Sequence, residues 1–255
     1  MKTVSEYEKD YYCSKITRLM EIQEFIKNYK EAFGGKAQLP LLFGYSDKPI
    51  ADTEKIGGCF FKGLQTAREG TPVSLSVDII GCGGGKLYTG FTDMPEHVPG
   101  FVSLKEKYKK TPEMVLDYVN SLGIRRTEKT YLNFIRIDKA ESFDGVEGIM
   151  FYATPDILSG LCGWAFYDTN EPDAVMSMFG SGCSTVVSMS VAENKRQGHR
   201  CFLGLLDPSV RPWVGKNELS FTIPFSRFTQ MMETMKDTFL FGSHAWEKVK
   251  QRLEE

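Results

Sequence analysis

VSLSVDIIGCGGGK, residues 73–86, joins an alternating apolar run to a cluster of glycines around one cysteine. Val73, Leu75, Val77 and Ile79 alternate with Ser74, Ser76 and Asp78, the period-two pattern of a strand. The strand runs into Gly81, Cys82, Gly83, Gly84 and Gly85, four glycines around one thiol. Glycine tolerates positive φ and lets backbone N–H groups approach whatever the sulfur meets. A strand that delivers a thiol into a glycine loop is the best site signal in the sequence.

Upstream of it, Gly57-Gly58-Cys59 opens a short helix with Phe60, Leu64 and Ala67 on its buried face. Gly70 is the natural stop, followed by Pro72. Before that helix, residues 39–45 read as a strand with Pro40 near its start, where a missing N–H is tolerable. Residues 5–30 form a helix candidate carrying Ile16, Leu19, Met20, Ile26 and Tyr29 near one face, ended by Gly34-Gly35.

Downstream, Thr111 as N-cap and Pro112 at the first position announce a helix over residues 112–122. Residues 131–137 and 148–153 read as strands. Residues 155–166 read as a helix capped by Thr154, and 172–178 as a second short helix. Gly182-Cys183 then opens a helix to about Asn194, stopped by Gly198 before a strand over 201–206. A strand over 219–223 follows. Ser226 is expected to cap a helix striped with Phe228, Met231, Met232, Met235 and Phe239, and a charged helix closes the chain from Ser243.

The order strand, Gly-Cys, helix, Gly, strand thus occurs around Cys59 and again around Cys183. The expected fold is α+β, one domain over residues 1–255. Two related β-α-β halves, roughly residues 39–101 and 131–225, would form a mixed sheet, with the N- and C-terminal helices packed outside. Such a pseudo-two-fold would place Cys59 and Cys183 at equivalent positions around one cleft.

The bulk numbers exclude several classes. With 255 residues the chain is long enough to bury a sizeable core. A net charge of −2 gives no global field for nucleic acid or an anionic membrane. No apolar run approaches the roughly 20 residues of a membrane helix. The charged N-terminus has no apolar signal core, so the expected location is the cytoplasm. Six cysteines without a CxxC pair argue for free thiols, metal or redox chemistry rather than a disulfide framework.

Cys59 and Cys183 stand at helix starts, where unpaired N–H groups favour the thiolate that attacks or binds metal. Cys82 gains similar help from a nest of amides. Together the three suit a soft ligand. The plainer alternative is that each packs beside glycine as a small hydrophobe. Gly81 to Lys86 also resembles a phosphate cradle, but its spacing is not GxxxxGK[ST]. Arg211, in Asp207-Pro208-Ser209-Val210-Arg211-Pro212-Trp213, would either clamp an anion or bond loop carbonyls. His97 and His199 read as surface histidines, and Cys13 and Cys162 as structural.

The order of GCFFKGLQTAREG, GCGGGKLYTGF, SGCSTVVSMSVAENKRQG and NELSFTIPFSRF resembles the domain-of-unknown-function 169 (DUF169) family, the ArCR proteins, over roughly residues 39–239. The resemblance implies that Cys59, Cys82 and Cys183 match the family's cysteines. It makes Cys201 and Arg211 the nearest matches to a further cysteine and a late-loop arginine. Leu206 or Asp207 stands where another family cysteine would fall, which leaves a four-thiolate metal or iron–sulfur site one sulfur short. The family supplies no activity to carry over.

The expected function is binding of a small-molecule ligand, soft metal or cofactor in a cleft lined by Cys59, Cys82, Gly83, Gly84 and Cys183, with Arg211 orienting an anionic group. The metal ligands would be Cys59, Cys82 and Cys183. The alternatives are a thiol-dependent enzyme using one of these cysteines as nucleophile, and an interaction module in which cysteine and glycine only permit close packing.

Overall fold

Leu41, Leu42 and Phe43 are consecutive in sequence and all buried, so their strand has protein on both faces. The computed structural model describes residues 20–124, 126–178 and 180–255. Its strands are β1 (Leu41–Ser46), β2 (Val73–Leu75), β3 (Tyr131–Arg136), β4 (Gly148–Ala153), β5 (Val175–Met176), β6 (Cys201–Gly204) and β7 (Leu219–Pro224). They form one sheet in the order β2-β3-β1-β4-β7-β6-β5. Every pairing is antiparallel except that of β5 with β6. At the centre, Leu41 pairs with Met150, Leu42 with Ile149 and Phe43 with Gly148. To one side β3 lies between β1 and β2, and to the other β7 lies between β4 and β6.

The period of two along each strand sorts the core into two layers. On one face Leu42, Ile149, Phe151, Phe221 and Ile223 pack with helices α1 (residues 20–33), α6 (Pro155–Phe166), α8 (Phe225–Thr234) and α9 (His244–Glu254). Buried indoles tie these helices together: Trp164 Nε1 donates to the Met231 carbonyl at 2.9 Å and Trp246 Nε1 to the Ala32 carbonyl at 2.8 Å. The terminal helices therefore sit outside the sheet, as expected. On the other face Leu41, Phe43, Phe134, Met150 and Tyr152 meet α2 (Phe60–Glu69) and a helical segment starting near Cys183. That segment is a π-helical turn, Ser184–Ser188, running into α7 (Met189–Lys195). The short helices α3 (Gly83–Tyr88) and α4 (Val98–Gly100) and the longer α5 (Pro112–Ser121) complete this side. No described helix is long and apolar enough to cross a membrane.

Several local expectations hold. Cys59 and Gly70 bound α2, with Gly70 at φ 104°. The Thr111 side chain accepts from Met114 N–H, and Ser243 from Trp246 N–H. Others are corrected. The strand over 73–78 stops at Leu75, because Ser76 turns the chain and its carbonyl accepts from Ile79 and Ile80. The glycine run is not a loop but α3 itself. Residues 172–178 form no helix: Ala174 accepts from Cys201 N–H, and Val175–Met176 join the sheet. Thr154 occupies its N-cap position without a side-chain bond. Ser226 lies inside α8, where Asn194 Oδ1 accepts its N–H at 2.8 Å, a cap supplied from another helix. Residues 5–19 of the predicted first helix, with Cys13, lie outside the described residues.

Arg227 is buried on α8 and forms a two-pronged ion pair with Asp168. Its Nε has no partner, so the pair is the main compensation for a desolvated guanidinium. Asp168→Ala should therefore lower stability by about 3 kcal/mol in urea unfolding, and adding Arg227→Met should restore part of that loss. Equal midpoints for wild type and Asp168→Ala would contradict this.

Candidate functional site

Three cysteines mark three helix starts that converge on the α2 side of the sheet. Cys59 is the extended N-cap of α2. Cys82 is the N-cap of α3, and its sulfur accepts the Gly85 N–H at 3.1 Å. Cys183 immediately precedes the π turn. All three pack into one apolar cluster with Phe60, Phe61, Leu205 and Val210. Glycine makes the approach feasible. A Cβ on Gly85 would lie 2.8 Å from Cys82 Sγ and 3.4 Å from Phe60 Cβ; one on Gly182 would lie 2.8 Å from the Phe61 ring. Gly81 is packed for the same reason, with the Ile56 carbonyl 2.2 Å from where its Cβ would sit.

Asp207 joins the thiols. It is buried, it follows β6, and its carboxylate accepts from Ser209 N–H at 2.9 Å and Ser209 Oγ at 2.8 Å. Cys59 experiences the charges of Cys82 and Asp207, and Cys183 those of Cys82, Cys59 and Asp207. Tyr88 from α3 packs against the same cluster, and Tyr118 from α5 sits with its Oη 3.1 Å from Ser184 Oγ. Tyr88 is raised chiefly by burial, with Tyr118 and Cys183 adding to it.

The helix-start argument for thiolates is reversed at two of the three positions. Burial pushes the Cys59 thiol up, and this outweighs the N–H groups of Phe61 and Lys62 that pull it down. Burial pushes Cys183 well up, and neighbouring Cys82, Cys59 and Asp207 add to it. Both thiols are therefore protonated at neutral pH.

The remaining predicted residues separate. Gly83 is exposed, with nothing within 4 Å of where a Cβ would sit, and Gly84 faces the Tyr88 ring at 3.7 Å. Arg211 bonds the carbonyls of Leu205 (3.3 Å), Glu218 (2.5 Å), Gly215 (2.9 Å) and Lys216 (2.8 Å). It staples the loop around Trp213, and the anion-clamp reading is not the one the geometry follows. Cys201 is buried in the opposite layer beside Met231. His97 is exposed. His199 Nε2 meets Asp173 Oδ1 at 2.7 Å, and Asp173 also accepts from Arg200 Nε at 2.6 Å. With Glu171 they are the one group among the described residues whose donor atoms all lie within 4.8 Å of one another. The three thiols and Asp207 are looser than that.

Nothing in the sequence marks Tyr118 or Ser184 as site residues, and Asp207 stands out there only as a place where a family cysteine would fall. Asp207-Pro208-Ser209 is an Asx-turn pattern, a local signal that the carboxylate is held in place. Chemically the cluster offers three sulfurs, one carboxylate and two phenols in a mostly apolar setting.

The model of one family, described as uncharacterised ArCR and designated DUF169, matches residues 41–234, a span that contains every residue of this cluster. No curated protein and no solved structure matches the chain.

Exposure and burial set an order of alkylation. Iodoacetamide at neutral pH should modify the half-buried Cys59 and Cys82 first, and leave Cys183 and Cys201 untouched until the chain unfolds. Peptide mass spectrometry reads this directly, and early labelling of Cys183 would contradict the burial.

Proposed function

We propose, for a chain that belongs to the DUF169 family, that it is a binding protein for a thiophilic ligand: a soft or borderline metal ion, or a small molecule carrying one. Cys59, Cys82, Cys183 and Asp207 hold the ligand. One observation carries the reading. Four potential donors from four separate segments share one apolar cluster or its edge, and among the described residues no cation is paired with the buried Asp207 carboxylate. Thiolate with one carboxylate suits zinc, cadmium or copper(I) better than magnesium or calcium. The donor chemistry fits such an ion. The spacing fits only after the side chains draw inward, since these atoms are not mutually within 4.8 Å. Gly83, with open space where a Cβ would be, leaves room beside Cys82 for the rest of a ligand.

A second reading rests on Cys82 alone. Its half-buried sulfur already accepts one N–H, as an attacking thiolate would, so a thiol-dependent reaction is the competing class. Halves bounded at 39–101 and 131–225 would split the sheet awkwardly, because β3 (131–136) lies between β1 and β2; a division after β3, which sets β3 between β1 and β2 and β7 between β4 and β6, supports two related halves better. Cys59 and Cys183 would then be the corresponding helix starts.

Anaerobic titration with cadmium tests the proposal. The expected result is one equivalent bound, with a thiolate-to-cadmium absorbance band. Cys82→Ser and Cys183→Ser should weaken both. Because burial holds the Cys59 and Cys183 thiols protonated, binding must displace protons, so affinity should rise with pH by about tenfold per unit for each proton released. Cadmium binding that is absent, or unaltered in both serine variants, would reject the metal reading.

A further inference from the structure

A cavity of about 400 Å³ opens between the C-terminal ends of α3, α5 and α7. Its charged lining is Arg126, Lys195 and Arg196, with no acidic side chain among the lining residues. That is a local concentration of positive charge on a chain whose net charge is −2. Tyr45, Tyr88 and Val191 add aromatic and apolar character to the same lining.

We propose that this cavity binds a small anionic molecule, a phosphate or carboxylate carried on an aromatic or apolar body. The cavity lining includes none of Cys59, Cys82, Cys183 and Asp207, though Tyr88 borders both, and the proposal does not depend on the reading given to the thiols.

The plainer account of Lys195 and Arg196 is that they complement the negative end of α7. Two observations go beyond it. First, Arg126 belongs to no helix end; it lies in the segment before β3, and its nearest acid, Asp93, is 3.8 Å away and almost fully exposed. Second, the carbonyls at these helix ends already have donors. Tyr88 O accepts from Ser188 Oγ at 2.5 Å, Thr89 O from Tyr45 Oη at 2.6 Å, Gly90 O from Thr127 N at 3.0 Å and Asn194 O from Gln197 N at 3.1 Å. The cations are therefore not consumed in satisfying them. Arg196 is held by Glu193, whereas Lys195 has no ion pair among the described residues. A guanidinium from the segment before β3 and an ammonium from α7, in one cavity with the Tyr45 and Tyr88 rings, suit an anion with a flat body.

Isothermal titration at low ionic strength tests this with phenyl phosphate, benzoate and neutral benzyl alcohol. Saturable binding of at least one anion, weakening with added salt, and none of the alcohol is expected. The tighter anion tells phosphate from carboxylate. The double variant Arg126→Gln and Lys195→Gln should bind at least about tenfold more weakly with an unchanged unfolding midpoint. Cys82→Ser should bind as the wild type does. The proposal is overturned if neither anion binds, if the alcohol binds equally well, or if the double variant retains wild-type affinity.

Discussion

The whole sheet hangs on one short seam. Leu41, Leu42 and Phe43 of β1 pair with Met150, Ile149 and Gly148 of β4, and among the described residues only this strand pairing joins the β2-β3-β1 group to the β4-β7-β6-β5 group. The seam is closely packed as well as hydrogen-bonded. A Cβ on Gly148 would lie 2.6 Å from the Phe43 ring and 2.7 Å from Ser190 Oγ. Glycine at that point lets a phenyl ring lie over the strand and lets α7 settle on the same face. Burial on both sides makes the pairing intolerant of a one-residue slip, which would exchange the two core layers.

From that seam the position of the thiols follows. Both α2 and the segment running into α7 cover the face that carries Phe43, Phe134, Met150 and Tyr152. Their starts are brought together by the absence of side chains at Gly182 and Gly85. The result is a set of sulfurs that are near one another and largely dry. Low polarity disfavours charge, so the same packing that gathers the thiols keeps two of them neutral. A positively charged guest reverses that balance, because it supplies the counter-charge that the surrounding hydrocarbon lacks.

Much of this was legible in the residues, and the failures share a cause. Helix boundaries set by local chemistry were readable: Cys59 and Gly70 around α2, Thr111-Pro112 before α5, Ser243 before α9. That Cys59, Cys82 and Cys183 stand at helix starts was also readable, and all three border one apolar cluster. Features decided by distant contacts were not. Three consecutive glycines are poor helix formers, yet α3 exists because Cys82 caps it and Gly85 fits against Phe60. Val175–Met176 became a strand because β6 offered an open edge. Asn194, far from α8 in sequence, took the capping role that Ser226 was expected to play. Arg211 was left with two readings by its sequence context, and four carbonyls in its own neighbourhood decided between them.

The π turn at Ser184–Ser188 has a geometric corollary. Met189 N–H bonds back to Ser184 O, five residues earlier, so this turn holds one residue more than an α-helical turn would. Each residue advances a helix by about 100° in azimuth. The extra residue therefore acts as a phase shifter. It lets Ser190 and Val187 keep their contact with the strands while Cys183, one turn earlier, is swung toward Cys59 and Cys82. Losing a single residue there would turn Cys183 by about 100° relative to Ser190, out of the company of the other two sulfurs.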